Sequence, residues 1–127
     1  MGLLKGLSTV GHSPRAFLAR PVDPGPDRDA ECCSFSCRIP GLIECVSSLF
    51  RESDIPGLTT IEVRDREALE TTRELIRMGF PVGPSSGLNY RAAIVAAESC
   101  GPANVVTVFP DRMERYFTTE LFGPFRS

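Results

Sequence analysis

The stretch from residue 80 to 109 constrains the fold more than any other part of the chain. It opens with Phe80-Pro-Val82, passes through the small-residue string Gly83-Pro-Ser-Ser-Gly87, and continues into an alanine-rich segment, residues 88–98, carrying Tyr90, Ile94 and Val95. Gly101-Pro102 interrupts it, and Asn104-Val-Val-Thr-Val-Phe109 follows as a short apolar run bounded by turn formers. A brief β-branched run without alternation suits a strand buried on both faces, and an alanine-rich segment suits the helix that crosses between two such strands. The expectation is strand, tight turn, helix, strand. Such a βαβ unit requires a parallel sheet with helices packed on it.

Upstream residues fit the same class. Thr59-Thr-Ile-Glu-Val63 alternates and is β-branched, so it predicts a short strand. It leads directly into the strongest helical pattern of the chain, with Asp65 as N-cap, Glu67 in the first turn, and Ala68, Leu69, Thr72, Leu75 and Ile76 on one face. Gly79 stands where a helix C′ residue belongs. Residues 2–9 predict a short helix ending before Gly11 and Pro14, and residues 16–22 a strand that Pro21 restricts to an edge or ends early. Residues 23–37, with Pro24, Gly25 and Pro26, predict an irregular loop, and residues 39–50 a short helix after the Pro40-Gly41 turn. The whole, 1–127, reads as one α/β domain with an open, mostly parallel sheet flanked by helices; residues 1–58 are loop-rich.

The 14 basic and 16 acidic side chains leave a formal charge of −2, which provides no field to hold nucleic acid or an anionic membrane. No apolar run approaches a membrane span, and the start lacks a secretion signal, so a cytoplasmic location is expected. Five cysteines, at 32, 33, 37, 45 and 100, do not space as a disulfide framework and read as reduced thiols. Cys32, Cys33 and Cys37 have only His12 as a nitrogen ligand, distant in sequence, so no metal site is expected. His12 reads as a surface-loop residue, and Cys45 and Cys100 as small buried hydrophobes. Lys5 is the only lysine among the 14 basic residues, so any chemistry that needs an amine side chain rests on it.

In open parallel sheets, ligands sit beyond the carboxyl ends of the strands, where the next helix presents free N–H groups. Gly83, Ser85 and Ser86 occupy such a position, with small side chains and two hydroxyls, although glycine and serine are also ordinary turn and cap residues. The run 104–109 ends in Pro110-Asp111, which puts Asp111 at the same edge of the expected sheet. Asp111 could orient a hydroxyl or a ligand nitrogen there, or simply cap a short helix over residues 113–116.

Gly83-Pro-Ser-Ser-Gly-Leu-Asn89, the alanine-rich helix, Val105-Val-Thr-Val-Phe-Pro-Asp111 and Glu114-Arg-Tyr-Phe-Thr-Thr-Glu-Leu-Phe122, in that order and spacing, resemble the C-terminal part of cysteine synthase (O-acetylserine sulfhydrylase). The wider resemblance is to the cystathionine β-synthase and tryptophan-synthase-β-like pyridoxal-phosphate enzymes. Glu67-Ala-Leu-Glu-Thr-Thr-Arg73 is similar to the helix preceding that motif, and Arg38-Ile-Pro-Gly41 to a loop following the family's Val-Asp-Pro, here Val22-Asp23-Pro24. The match is strong over residues 59–122 and looser before. It implies an incomplete fold type II enzyme domain, pyridoxal 5′-phosphate as cofactor, and β-replacement on O-acetylserine or a similar amino acid through a pyridoxal-phosphate aminoacrylate. By position it implies that Ser85 hydrogen-bonds the pyridine nitrogen, with Gly83 and Ser86 beside the cofactor and Asp111 in support.

The resemblance also implies what is lacking. The family's Schiff-base lysine, substrate loop and most of its phosphate loop have no counterpart here, and Lys5 matches the helix after the phosphate loop, with Gly2 as that loop's last remnant. Cys37 stands where the family has histidine, and Leu42-Ile-Glu44 replaces a glycine-rich continuation. The expectation is a chain inactive alone, with no catalytic residue of its own, whose partner is a complementary N-terminal half or a second copy. Alternatives are a non-catalytic binding module or degenerate product that keeps the scaffold, and a free-standing α/β domain binding another phosphate ligand at residues 83–87.

Overall fold

The computed structural model describes residues 2–22, 51–101 and 103–125 of the chain. Helix α1 spans Gly2–Thr9, as its apolar spacing suggests, and ends before the left-handed Gly11. Strand β1, Phe17–Val22, pairs in parallel with β2, Thr59–Arg64, in a register that sets Phe17 opposite Thr59 and Val22 opposite Arg64. With two strands in the sheet among the described residues, Pro21 sits on an edge strand, where its missing N–H is tolerated. Ile61 and Val63 are buried while Thr60, Glu62 and Arg64 are exposed, the alternation of a strand with one face on the core.

Helix α2, Asp65–Arg77, follows β2 without a loop. Its N-cap is Arg64 rather than Asp65, because the strand runs one residue further than its β-branched part and makes Asp65 the first helical residue. Glu67 closes this end: its carboxylate accepts the Arg64 backbone N–H at 3.2 Å and the Arg64 guanidinium at 3.1 Å. At the other end Gly79 takes φ +95°, its N–H bonding to the Ile76 carbonyl and that of Phe80 to Leu75, both at 3.0 Å. Ala68, Thr72 and Leu75 are buried as their spacing predicts, joined by Asp65 and Thr71, whereas Leu69 and Ile76 are only half-buried.

Helix α3, Pro84–Cys100, begins four residues earlier than the alanine-rich pattern suggests. Pro84-Ser-Ser-Gly87 is thus the first helical turn rather than a tight turn before it, with Pro84 at the position where a missing N–H costs nothing. Gly87 sets the distance between α2 and α3: a Cβ there would meet the Thr72 hydroxyl and the Ala68 carbonyl. Ile61, Val63, Ala68, Leu88, Ala92 and Ala96 form the core between the sheet and these helices.

The βαβ unit expected over residues 80–109 does not form. Phe80 is exposed and Val82 makes only an isolated antiparallel bridge to Arg112, while residues 104–109 adopt no strand and are exposed throughout. The parallel pair is instead β1 with β2. A β-branched run becomes a buried strand only beside a partner, and among the described residues none lies along 104–109. The chain then makes short 3-10 turns at Met113–Tyr116 and Glu120–Phe125. Leu121 is fully buried, and its carbonyl accepts the Arg73 guanidinium at 3.1 Å, tying this end to α2. The expected loop over 23–37 and helix over 39–50, with Cys32, Cys33, Cys37 and Cys45, lie outside the described residues. Among the described residues no helix is long and apolar enough to cross a membrane.

Candidate functional site

The start of α3 and the segment around Asp111 are brought together, as the sequence suggests, although by an antiparallel contact and not by two parallel strand ends. The Gly83 N–H donates to the Asp111 carbonyl at 3.1 Å and the Met113 N–H to Pro81 at 3.2 Å. This places the Asp111 carboxylate over the open end of α3. One oxygen accepts the Ser85 N–H at 3.1 Å, and the other accepts the Ser86 N–H at 3.0 Å and the Ser86 hydroxyl at 2.6 Å. The first turn of a helix leaves its N–H groups unpaired and carries positive partial charge, so a carboxylate here satisfies donors and complements the dipole. Asp111 therefore caps α3 across the fold. It does not cap the 3-10 turn at Met113–Tyr116, where Arg112 is the preceding residue and makes no side-chain cap.

Tyr116 completes the arrangement by donating its hydroxyl to the Asp111 carboxylate at 3.0 Å. Burial, and then the neighbouring carboxylate charge, push its phenol up to about 12. Gly83 is buried because the carboxylate approaches it closely; a Cβ would meet Asp111 and the Tyr116 ring. Nothing in the sequence spacing announces Tyr116: an aromatic residue in a short turn is ordinarily a packing residue.

The four residues singled out from the sequence thus lie together but differ in what remains free. Gly83 and Asp111 are spent on each other, and the fully buried Ser86 is spent on Asp111. Ser85 is half-buried, and among the described residues its hydroxyl has no hydrogen-bond partner while its N–H is held by Asp111. One turn on, Asn89 donates its side-chain amide to the Val108 carbonyl at 2.9 Å. Lys5 is elsewhere: it lines a shallow recess of about 230 Å³ with Ser8, His12, Ser13 and Asp54, and neither Ser85 nor Asp111 borders it. His12 is exposed, as its turn-like context suggests, whereas Cys100 is half-buried at the end of α3 rather than buried. No cluster of three metal-ligating side chains occurs among the described residues.

Cysteine synthase B of Campylobacter jejuni is 39% identical over 63 residues, 50% of this chain and 21% of that protein. Cysteine synthase B of Escherichia coli is 36% identical over 90 residues, 67% of this chain and 29% of that protein. The Helicobacter pylori cysteine synthase is 29% identical over 122 residues, which is 94% of this chain and 36% of that protein. The chain belongs to the cysteine synthase family. It spans between 21% and 36% of the length of these relatives, and the Helicobacter match carries the likeness well into the residues before 59. No protein-family model matches the chain. No solved structure matches it either.

Cysteine synthases depend on pyridoxal phosphate, so the residues present can be tested against that group. A free, neutral, half-buried hydroxyl at a helix start is suited to the nitrogen of a pyridine ring, and Ser85 provides it. Gly83, Ser86 and Asp111 fit as the frame that fixes Ser85 rather than as contacts, since their groups are already engaged with one another.

Proposed function

We propose that this chain is a partial, incomplete fold type II domain of the cysteine synthase family that holds the ring-nitrogen side of pyridoxal 5′-phosphate and does not catalyse β-replacement on O-acetylserine or a similar amino acid alone. The observation that carries this reading is the hydroxyl of Ser85, left without a partner while the groups around it are locked by Asp111. When bound, the cofactor supplies an electron sink for bond changes at an amino-acid substrate. Ser85 orients the ring through its nitrogen and, being neutral, does not hold a proton there as a carboxylate would. Asp111 holds the Ser85 backbone so that the hydroxyl cannot drift, and the Tyr116 hydroxyl fixes the carboxylate in turn. The amine that would hold the cofactor covalently, and the substrate-binding groups, come from a complementary N-terminal half.

Mixing the purified chain with pyridoxal phosphate and the N-terminal half of a relative tests this. Cofactor retention and activity are expected only with both pieces, and Ser85→Ala should weaken retention about tenfold, the equivalent of one hydrogen bond of ~1.4 kcal/mol. Borohydride trapping of the cofactor on Lys5 in the chain alone, with turnover, would overturn the proposal, because it would make Lys5 a working amine.

A further inference from the structure

Parallel strands start at the same end of a sheet, so pairing Phe17 with Thr59 brings the segments that lead into β1 and β2 side by side. These segments are α1 with the turn after it, and the 3-10 turn Glu52–Asp54 with Ile55 and Pro56. The Thr59 N–H, donating to the Ala16 carbonyl at 3.1 Å, fastens them where the strands begin. Between them lies the recess of about 230 Å³. Pockets for drug-sized ligands begin at roughly 300 Å³, so this one suits a smaller molecule.

The two segments bring opposite charges to it. Lys5 and Ser8 lie three residues apart on one face of α1 and His12 follows in the turn, whereas Asp54 comes from the second segment; Leu4 and Ile55 add apolar surface. Among the described residues none of Lys5, His12 and Asp54 forms an ion pair, although all three border the same space. The Ser8 hydroxyl donates to the Lys5 carbonyl at 2.8 Å, which leaves its lone pairs to accept. The recess thus offers donors at Lys5 and His12 and acceptors at Asp54 and Ser8. An inorganic anion would meet the Asp54 carboxylate, a simple cation would meet the Lys5 ammonium, and an apolar molecule would leave both charges unanswered. A ligand that carries both charges close together satisfies each.

We propose that this recess binds a small free α-amino acid, with its carboxylate against Lys5 and His12 and its ammonium against Asp54 and Ser8. A short side chain rests on Leu4 and Ile55. Neither Ser85 nor Asp111 borders the site and it needs no cofactor, so it stands or falls apart from the pyridoxal-phosphate reading. Because Lys5, His12 and Asp54 are all exposed, binding is weak, on the order of 1 mM.

Titrating the full chain with L-alanine while following its backbone amide resonances tests this. Saturable shifts are expected over residues 4–13 and 53–56. Acetate, which has the carboxylate alone, and ethylamine, which has the ammonium alone, should each bind at least about tenfold more weakly. Lys5→Gln and Asp54→Asn alter exposed side chains, so both variants should stay folded by circular dichroism, and each should weaken alanine binding about tenfold. No saturable shift up to ~20 mM alanine, shifts centred on Ser85 instead, acetate or ethylamine binding as tightly as alanine, or an unchanged affinity in either variant would each overturn the site.

Discussion

Residues 59–63 and residues 105–108 are alike in strand propensity, yet the first run is paired and buried on one face and the second is neither. Both also lead into an Asp-Arg pair, Asp65-Arg66 and Asp111-Arg112. In β2 the partner strand β1 takes up the backbone groups, and the chain passes straight into α2 with Asp65 as its first residue. After residues 104–109, Pro110 removes the next N–H and Asp111 turns its carboxylate onto Ser85 in the first turn of a helix, 26 residues upstream. The difference teaches that the β-branched pattern specifies a capacity for pairing, while a neighbour decides whether that capacity is used.

The largest test of this contrast lies beneath the paired run. Gly87→Ala puts a Cβ against the Ala68 carbonyl and the Thr72 hydroxyl, of which the backbone group cannot give way, so a loss of about 3 kcal/mol in chemical denaturation is expected. A change under about 0.5 kcal/mol would mean that α2 and α3 are not held at this distance. Next come the two runs themselves. Val63→Ala removes a side chain that is 1% exposed and should cost about 2 kcal/mol, whereas Val106→Ala, at 84% exposure, should stay within about 0.5 kcal/mol when measured in dilute solution. Equal costs for the two would dissolve the comparison.

The smallest effect concerns the cap that replaces strand pairing after residue 109. The Tyr116 phenol is raised from 10.0 to about 12 in the folded chain, so the folded state binds its proton more tightly than the unfolded state does. The stability this contributes is complete below pH 10 and is lost as pH rises toward about 12. Unfolding midpoints followed through that window should fall, and Tyr116→Phe should remove this part of the slope; an unchanged slope would show that neither burial nor Asp111 raises the phenol.

Local signals explain what the sequence disclosed. Helix α2 was legible because its periodicity and the glycine that ends it are local signals, although its cap is Arg64 and not Asp65, and β2 because alternation is visible in five positions. Helix α3 was legible in kind but not in its start, since Pro84-Ser-Ser-Gly87 has the composition of a turn and the carboxylate that caps it, Asp111, comes from a distant part of the chain. For the same reason the grouping of Gly83, Ser85, Ser86 and Asp111 could be anticipated from the family motif, while the division of labour among them could not. That division depends on which hydroxyl the carboxylate reaches, a matter of ångströms. Asn104-Val-Val-Thr-Val-Phe109 misled because burial is a property of neighbours, which a run of residues does not contain.

The cap on α3 also imposes an order on synthesis. Ribosomes make Ser85 and Ser86 before Asp111, so the growing chain holds a complete 17-residue helix whose first turn lacks its acceptor until the residues beyond it have emerged. A stop or a cut anywhere between Gly101 and Asp111 would leave every residue of that helix in place and still take away the group that caps its first turn.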